Sequence, residues 1–150
     1  MRDRIEDNLK DALRSKDKLR TGTLRLIMAA VKDRDIDARG KGREQISDAD
    51  IMALLQKMIK QREESARIYE EAGRDELAEA ERAEIVIIDE FLPKPMDDEA
   101  VLAAIEEAIA EVGASSLRDM GKVVGVLKKR FPGQIDFGKA SRVVKEMLGA

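Results

Sequence analysis

Apolar residues recur at helical spacing along almost the whole chain, and each run meets a recognisable stop. Ile5, Leu9, Ala12 and Leu13 share one helical face, and Leu24, Ile27, Met28 and Val31 share a second. The second pattern ends in DARGKGRE, where Gly40 and Gly42 mark a loop. A third helix opens at Ser47, an expected N-cap, and turns Ile51, Leu54, Leu55, Met58 and Ile59 inward until Gly73 stops it. The segment RDELAEAERAEIVIIDEFL is rich in alanine and glutamate. Helix is therefore expected through Ile85, Val86, Ile87 and Ile88, a run that taken alone could be a short strand.

Pro93 and Pro95 then break the chain, since neither has an N–H to donate and each disfavours helix in the residue before it. They predict a boundary between an N-terminal helical domain, residues 1–92, and a small C-terminal domain, residues 97–150. Asp97 or Asp98 can cap the next helix, which turns Val101, Leu102, Ile105, Ala108, Ile109 and Val112 inward and closes at Gly113. Ser115 or Ser116 is the expected cap for SLRDMGKVVGVLKKR, with Leu117, Met120, Val124 and Leu127 as the buried stripe. After the turn FPGQ, Asp136 caps a last helix that buries Phe137, Ala140, Val144, Met147 and Leu148. The expected fold is all-α, with an N-terminal helical unit of about four helices and a C-terminal unit of about three.

Composition mostly excludes. With no cysteine and no histidine there is no disulfide, no zinc-finger spacing and no Ser-His or Cys-His nucleophile. Glu63, Glu64, Glu70, Glu71, Glu81 and Glu84 are numerous, but the Glu-x-x-His di-metal pattern is impossible here, and a solvated acidic face is expected instead. Ser115 and Ser116 near Lys122 supply the residue types of a Ser-Ser-Lys amidase, yet they sit where a helix N-cap belongs. GKG at residues 40–42 is too short to cradle a phosphate specifically. No catalytic residue, metal or cofactor is assigned. No apolar run approaches a membrane span, and MRDRIEDNLK lacks the apolar core of a signal peptide, so no membrane association and a cytoplasmic location are expected.

The distribution of charge says more than its total. From Gly113 onward there are eight basic residues and three acids, a surplus of five, while the whole chain is at −3. The preceding residues therefore carry −8. Within the basic stretch, Gly121 and Gly125 sit one turn apart beside Arg118, Lys122 and Lys129. A glycine in a helix interior costs about 1 kcal/mol relative to alanine. Three arrangements could offset that: a phosphate backbone approaching a face without side chains, close packing against a neighbouring helix of the same domain, or a docked partner helix. The last helix adds Lys139, Arg142 and Lys145, with Gly133 and Gly138 nearby; the ordinary alternative for such a run is a solvated face. The candidate nucleic-acid-binding set is Arg118, Gly121, Lys122, Gly125, Lys128, Lys129, Gly133, Lys139 and Arg142.

LRLIMAAVK (residues 24–32), AGRDELAEAERAEIVIIDEFLPK (72–94), DMGKVVGVLKKRFPG (119–133) and GKASRVVKEML (138–148) together resemble the YqeY family. The ordered set covers nearly the whole chain. The C-terminal part is also similar to the tail domain of the B subunit of tRNA-dependent amidotransferase, which converts Glu-tRNA or Asp-tRNA to the Gln or Asn form. The resemblance implies an all-α fold of two helical units and tRNA as the ligand of the tail-like unit. It also implies an accessory role in translation, with an aminoacyl-tRNA amidotransferase or synthetase as a possible protein partner. It places Gly121, Lys122 and Gly125 on the family's glycine-rich helix, and Gly133 and Lys139 at the following turn and helix start. Gln134 and Phe137 depart from the pattern, which has a basic residue and a small residue there. The amidotransferase active sites have no counterpart in this chain, so the expectation is a non-catalytic tRNA-binding or accessory protein. The alternative is a helical adaptor docking a partner on the Gly121/Gly125 face.

Overall fold

The computed structural model of the chain describes residues 1–149. Among them are seven α-helices and no strand: α1 (Arg2–Ser15), α2 (Lys18–Gly40), α3 (Asp48–Glu71), α4 (Asp75–Asp89), α5 (Asp98–Val112), α6 (Met120–Arg130) and α7 (Phe137–Gly149). A 3-10 turn, Leu117–Asp119, precedes α6. The all-α expectation holds, and residues 85–88 are helical.

The helix ends follow local chemistry. Ser47 caps α3 in a full capping box with Asp50, each side chain accepting from the other residue's backbone N–H. Asp97 caps α5 by accepting from the Ala100 N–H at 2.7 Å. Gly113 closes α5 at φ 66°, a left-handed conformation that glycine reaches without strain. The break between α1 and α2 is held by Lys16, itself left-handed, and by the Asp17 carboxylate, which accepts from the Arg20 N–H at 3.0 Å.

The chain divides into two compact units, Met1–Leu92 and a second beginning at Pro93. The first unit packs α1 on α2, and α3 against α4 as a hairpin. Ile5, Leu24, Ile27, Val31, Ile51, Leu55, Ile88 and Phe91 are its most deeply buried large side chains. Burying such a side chain contributes about 1.5–3 kcal/mol. The second unit is a three-helix cluster around Ala104, Ile105, Ala108, Val123, Leu127, Ile135, Ala140 and Val144.

Four residues expected inward point out instead: Leu13, Leu102, Leu117 and Met147 are all exposed. The case of Leu117 has a clear cause. It belongs to the 3-10 turn that precedes α6 and so does not continue the inner face of that helix. Met120 and Leu127 pack inward as expected, and Val123 takes the place expected of Val124; Val123 and Leu127 are fully buried. On α5, Ala104 takes an inner position, while the larger Leu102 stays outside.

Candidate nucleic-acid interface

Helical geometry orients the candidate face on α6. Successive residues turn by about 100°, so with Val123 and Leu127 against the core, Gly125 lies diametrically opposite. Gly121 and Lys128 flank it on one side, Lys122 and Lys129 on the other, and all five are exposed. Among the described residues, a Cβ added at Gly121 or at Gly125 would meet nothing within 4 Å. The reading in which these glycines pack under a neighbouring helix of the same domain is therefore overturned. Gly121 is the second residue of α6, so only Gly125 occupies a helix interior.

The helix start differs from expectation. The Ser116 side chain makes no cap hydrogen bond. Instead the Asp119 carboxylate accepts from the Ser115 N–H at 3.0 Å. That bond, helped by the nearby Lys122 ammonium, holds the Asp119 carboxyl below the usual carboxylate range. Arg118 is exposed in the 3-10 turn. At the other end, Lys128, Lys129 and Arg130 occupy the last turn, where positive charge also complements the helix dipole. Arg130 pairs with Glu111; the other seven basic residues from Gly113 onward form no ion pair among the described residues.

On α7 the outward direction, opposite Ala140 and Val144, is that of Arg142, with Gly138, Lys139 and Lys145 beside it. The Asp136 carboxylate starts this helix, accepting from the Gly138 N–H at 3.0 Å and the Lys139 N–H at 3.3 Å. Gly133 is buried at φ 77° and serves the backbone of the turn rather than the open face.

The two departures from the family pattern have structural partners. The Gln134 side-chain amide donates to the Lys94 carbonyl at 3.3 Å, and the Gln134 backbone carbonyl accepts from the Met96 N–H at 3.0 Å. Gln134 thus ties residues 94–96 into the second unit. The Phe137 ring packs on the core and carries the Lys128 ammonium 5.9 Å from its centroid, joining the end of α6 to the start of α7.

The acidic body resolves into two parts. Residues 1–92 are at −3, and from Pro93 onward nine basic residues meet nine acids. Most of the negative charge that precedes Gly113 thus belongs to the second unit itself, on Asp97, Asp98, Glu99, Glu106, Glu107 and Glu111 of α5 and its cap. Among the described residues no group of three or more acidic side chains is placed to hold a metal ion.

The profile of the YqeY family, described as Yqey-like protein, matches residues 2–148. The chain belongs to that family. Its relatives include proteins called Altered inheritance of mitochondria protein 41, mitochondrial. The one from Clavispora lusitaniae is 30% identical over 149 residues, spanning 96% of this chain and 82% of its own length. The one from Pyrenophora tritici-repentis is 29% identical over 153 residues, spanning 98% and 80%. The one from Lachancea thermotolerans is 32% identical over 114 residues, spanning 75% and 59%. These YqeY relatives are mitochondrial by name. No helix among the described residues is long and apolar enough to cross a membrane.

Proposed function

We propose that this YqeY protein is a non-catalytic tRNA-binding or accessory protein related to the tRNA-dependent amidotransferases, and that α6 and α7 present the contact. The observation that supports this most is the open glycine face of α6, set opposite the core between lysines that have no ion pair among the described residues. Among the described residues nothing packs against the open side of Gly125, so an external group that approaches the helix backbone closely is the natural compensation for its lower helix propensity. A phosphate chain suits that face by charge, with Arg118, Lys122, Lys128, Lys129, Lys139 and Arg142 around it. A partner helix would meet the same lysines and would need a strongly acidic surface, which makes the adaptor the second reading. An amidotransferase or aminoacyl-tRNA synthetase could share the RNA-bound complex. The compartment follows from the ligand: one in which tRNA is charged, the cytoplasm for this chain on its sequence and the mitochondrion for the named relatives.

The test is an electrophoretic shift with total tRNA at several salt concentrations. Lys122, Lys128, Lys129 and Lys139, all changed to Glu, should abolish the shift and leave the chain folded, because all four are exposed, with melting lowered modestly as the last turn of α6 loses its favourable charge and Phe137 its cation. Single replacements should weaken it in steps, and every phosphate left without its lysine should flatten the salt slope by a little under about one unit. An unchanged shift in the quadruple variant removes the basic face from the account. A protein partner that survives nuclease treatment, with no tRNA shift from the unaltered chain, would favour the adaptor.

A further inference from the structure

The first unit holds a second concentration of positive charge, which the linear sequence does not reveal. Between the end of α2 and the beginning of α3 lies an open cleft of about 500 Å3, within the size range of small-molecule sites. Arg34, Lys41, Arg43 and Lys57 line it. Its carboxylates are Asp37 and Asp50, and Asp50 is already engaged by the Ser47 N–H and by Arg43 at 3.3 Å. Arg34, Lys41 and Lys57 form no ion pair among the described residues. The cleft therefore offers three unmatched cations against one carboxylate, in a unit whose net charge is −3.

The loop between the two helices is fixed in place. The Asp35 carboxylate accepts from the Arg2 guanidinium at 2.7 and 3.0 Å and from the Ile46 N–H at 2.9 Å. This pins the loop against α2 and holds Lys41 and Arg43 at the rim. The apolar part of the lining, its floor, is Ala38, Ile46 and Leu54, which are almost wholly buried core residues, together with the exposed Ala53.

We propose that this cleft binds a nucleoside polyphosphate. Its phosphates rest on Arg34, Lys41 and Lys57, and its base lies on the apolar floor. GKG at residues 40–42 holds no phosphate by itself, but it delivers Lys41 to a site that residues from α2, the loop and α3 complete. An inorganic anion would leave the apolar floor unused, and a fatty acid would leave most of the positive charge unmatched. The site is separate from the α6 face, and its test does not depend on RNA.

The experiment is isothermal titration of the full chain with ATP, pyrophosphate and adenosine. ATP should bind more tightly than pyrophosphate, and pyrophosphate more tightly than adenosine. Arg34→Glu with Lys57→Glu should weaken ATP by about tenfold or more. Lys10→Glu with Arg25→Glu, an equal change of charge at exposed positions outside the cleft, should leave it within about twofold. Ala53→Glu puts a carboxylate on the floor from an exposed position and should weaken ATP without disturbing folding. No binding of ATP at millimolar concentration, or equal weakening by the cleft and control pairs, would overturn the site. Equal affinities for ATP and pyrophosphate would overturn its assignment to a nucleotide.

Discussion

Replacing Gly125 with alanine separates the readings of α6 in one purified variant. Gly125 lies inside the helix, and among the described residues its added methyl meets nothing within 4 Å. The variant should therefore gain the helix propensity of alanine, up to about 1 kcal/mol. The overpacking penalty of about 1–3 kcal/mol that a buried site would impose does not arise. In a unit of roughly sixty residues, 1 kcal/mol moves the melting temperature by about 4–8 °C. Gly121→Ala should gain less, because Gly121 lies in the first turn. The assay is thermal melting by circular dichroism, paired with tRNA affinity on the same preparation. The expected result is a higher melting temperature with weaker tRNA binding, as the methyl holds a phosphate backbone away from the helix. A lower melting temperature would refute the open face. A higher melting temperature with unchanged tRNA affinity would refute its use by RNA, and failure to hold a protein partner in that variant would point to the adaptor.

Three further outcomes follow from particular contacts. A fragment beginning at Pro93 should be more stable than one beginning at Asp97 by about 1–3 kcal/mol, the worth of the two hydrogen bonds through Gln134; chemical denaturation of both fragments checks it. Because the first unit contributes only −3, either fragment that folds should bind tRNA about as well as the full chain at physiological salt. Asp35, whose carboxyl is held low mainly by the Arg2 hydrogen bonds, should make stability pH-dependent. Its folded pKa lies below its unfolded one, so its contribution is complete above about pH 4 and fades as pH falls through that region. Asp35→Asn should cost about 2–4 kcal/mol at neutral pH and flatten the acid limb of a stability–pH curve.

The helix pattern is legible because each element carries its own signal: apolar spacing, then a cap or a glycine stop. Ser47, Asp97, Gly113 and Asp136 all act where the sequence places them. The inner face of α6 is legible at Met120 and Leu127 but misread at Leu117, because a 3-10 turn and an α-helix differ in residues per turn, and nothing in Leu117 itself announces which it occupies. The openness of Gly121 and Gly125 is also beyond the sequence, since periodicity gives a direction and not the distance to the next atom. The cleft in the first unit is hidden for another reason. Arg34 and Lys57 are far apart in sequence, and the helix–loop–helix turn alone brings them together. GKG stands out in the sequence but has no weight without those neighbours. The roles of Gln134 and Phe137 depend on tertiary contacts with Lys94, Met96 and Lys128.

The central claim, that the outward face of α6 and α7 meets an RNA backbone, is tested most directly by amide NMR of the full chain as total tRNA is added at low salt. The account predicts that the perturbed amides cluster at residues 118–130 and 138–145, centred on Gly125 and Arg142, and that the perturbations recede as salt is raised. Perturbations confined to residues 1–92, or none at any salt concentration, would contradict it.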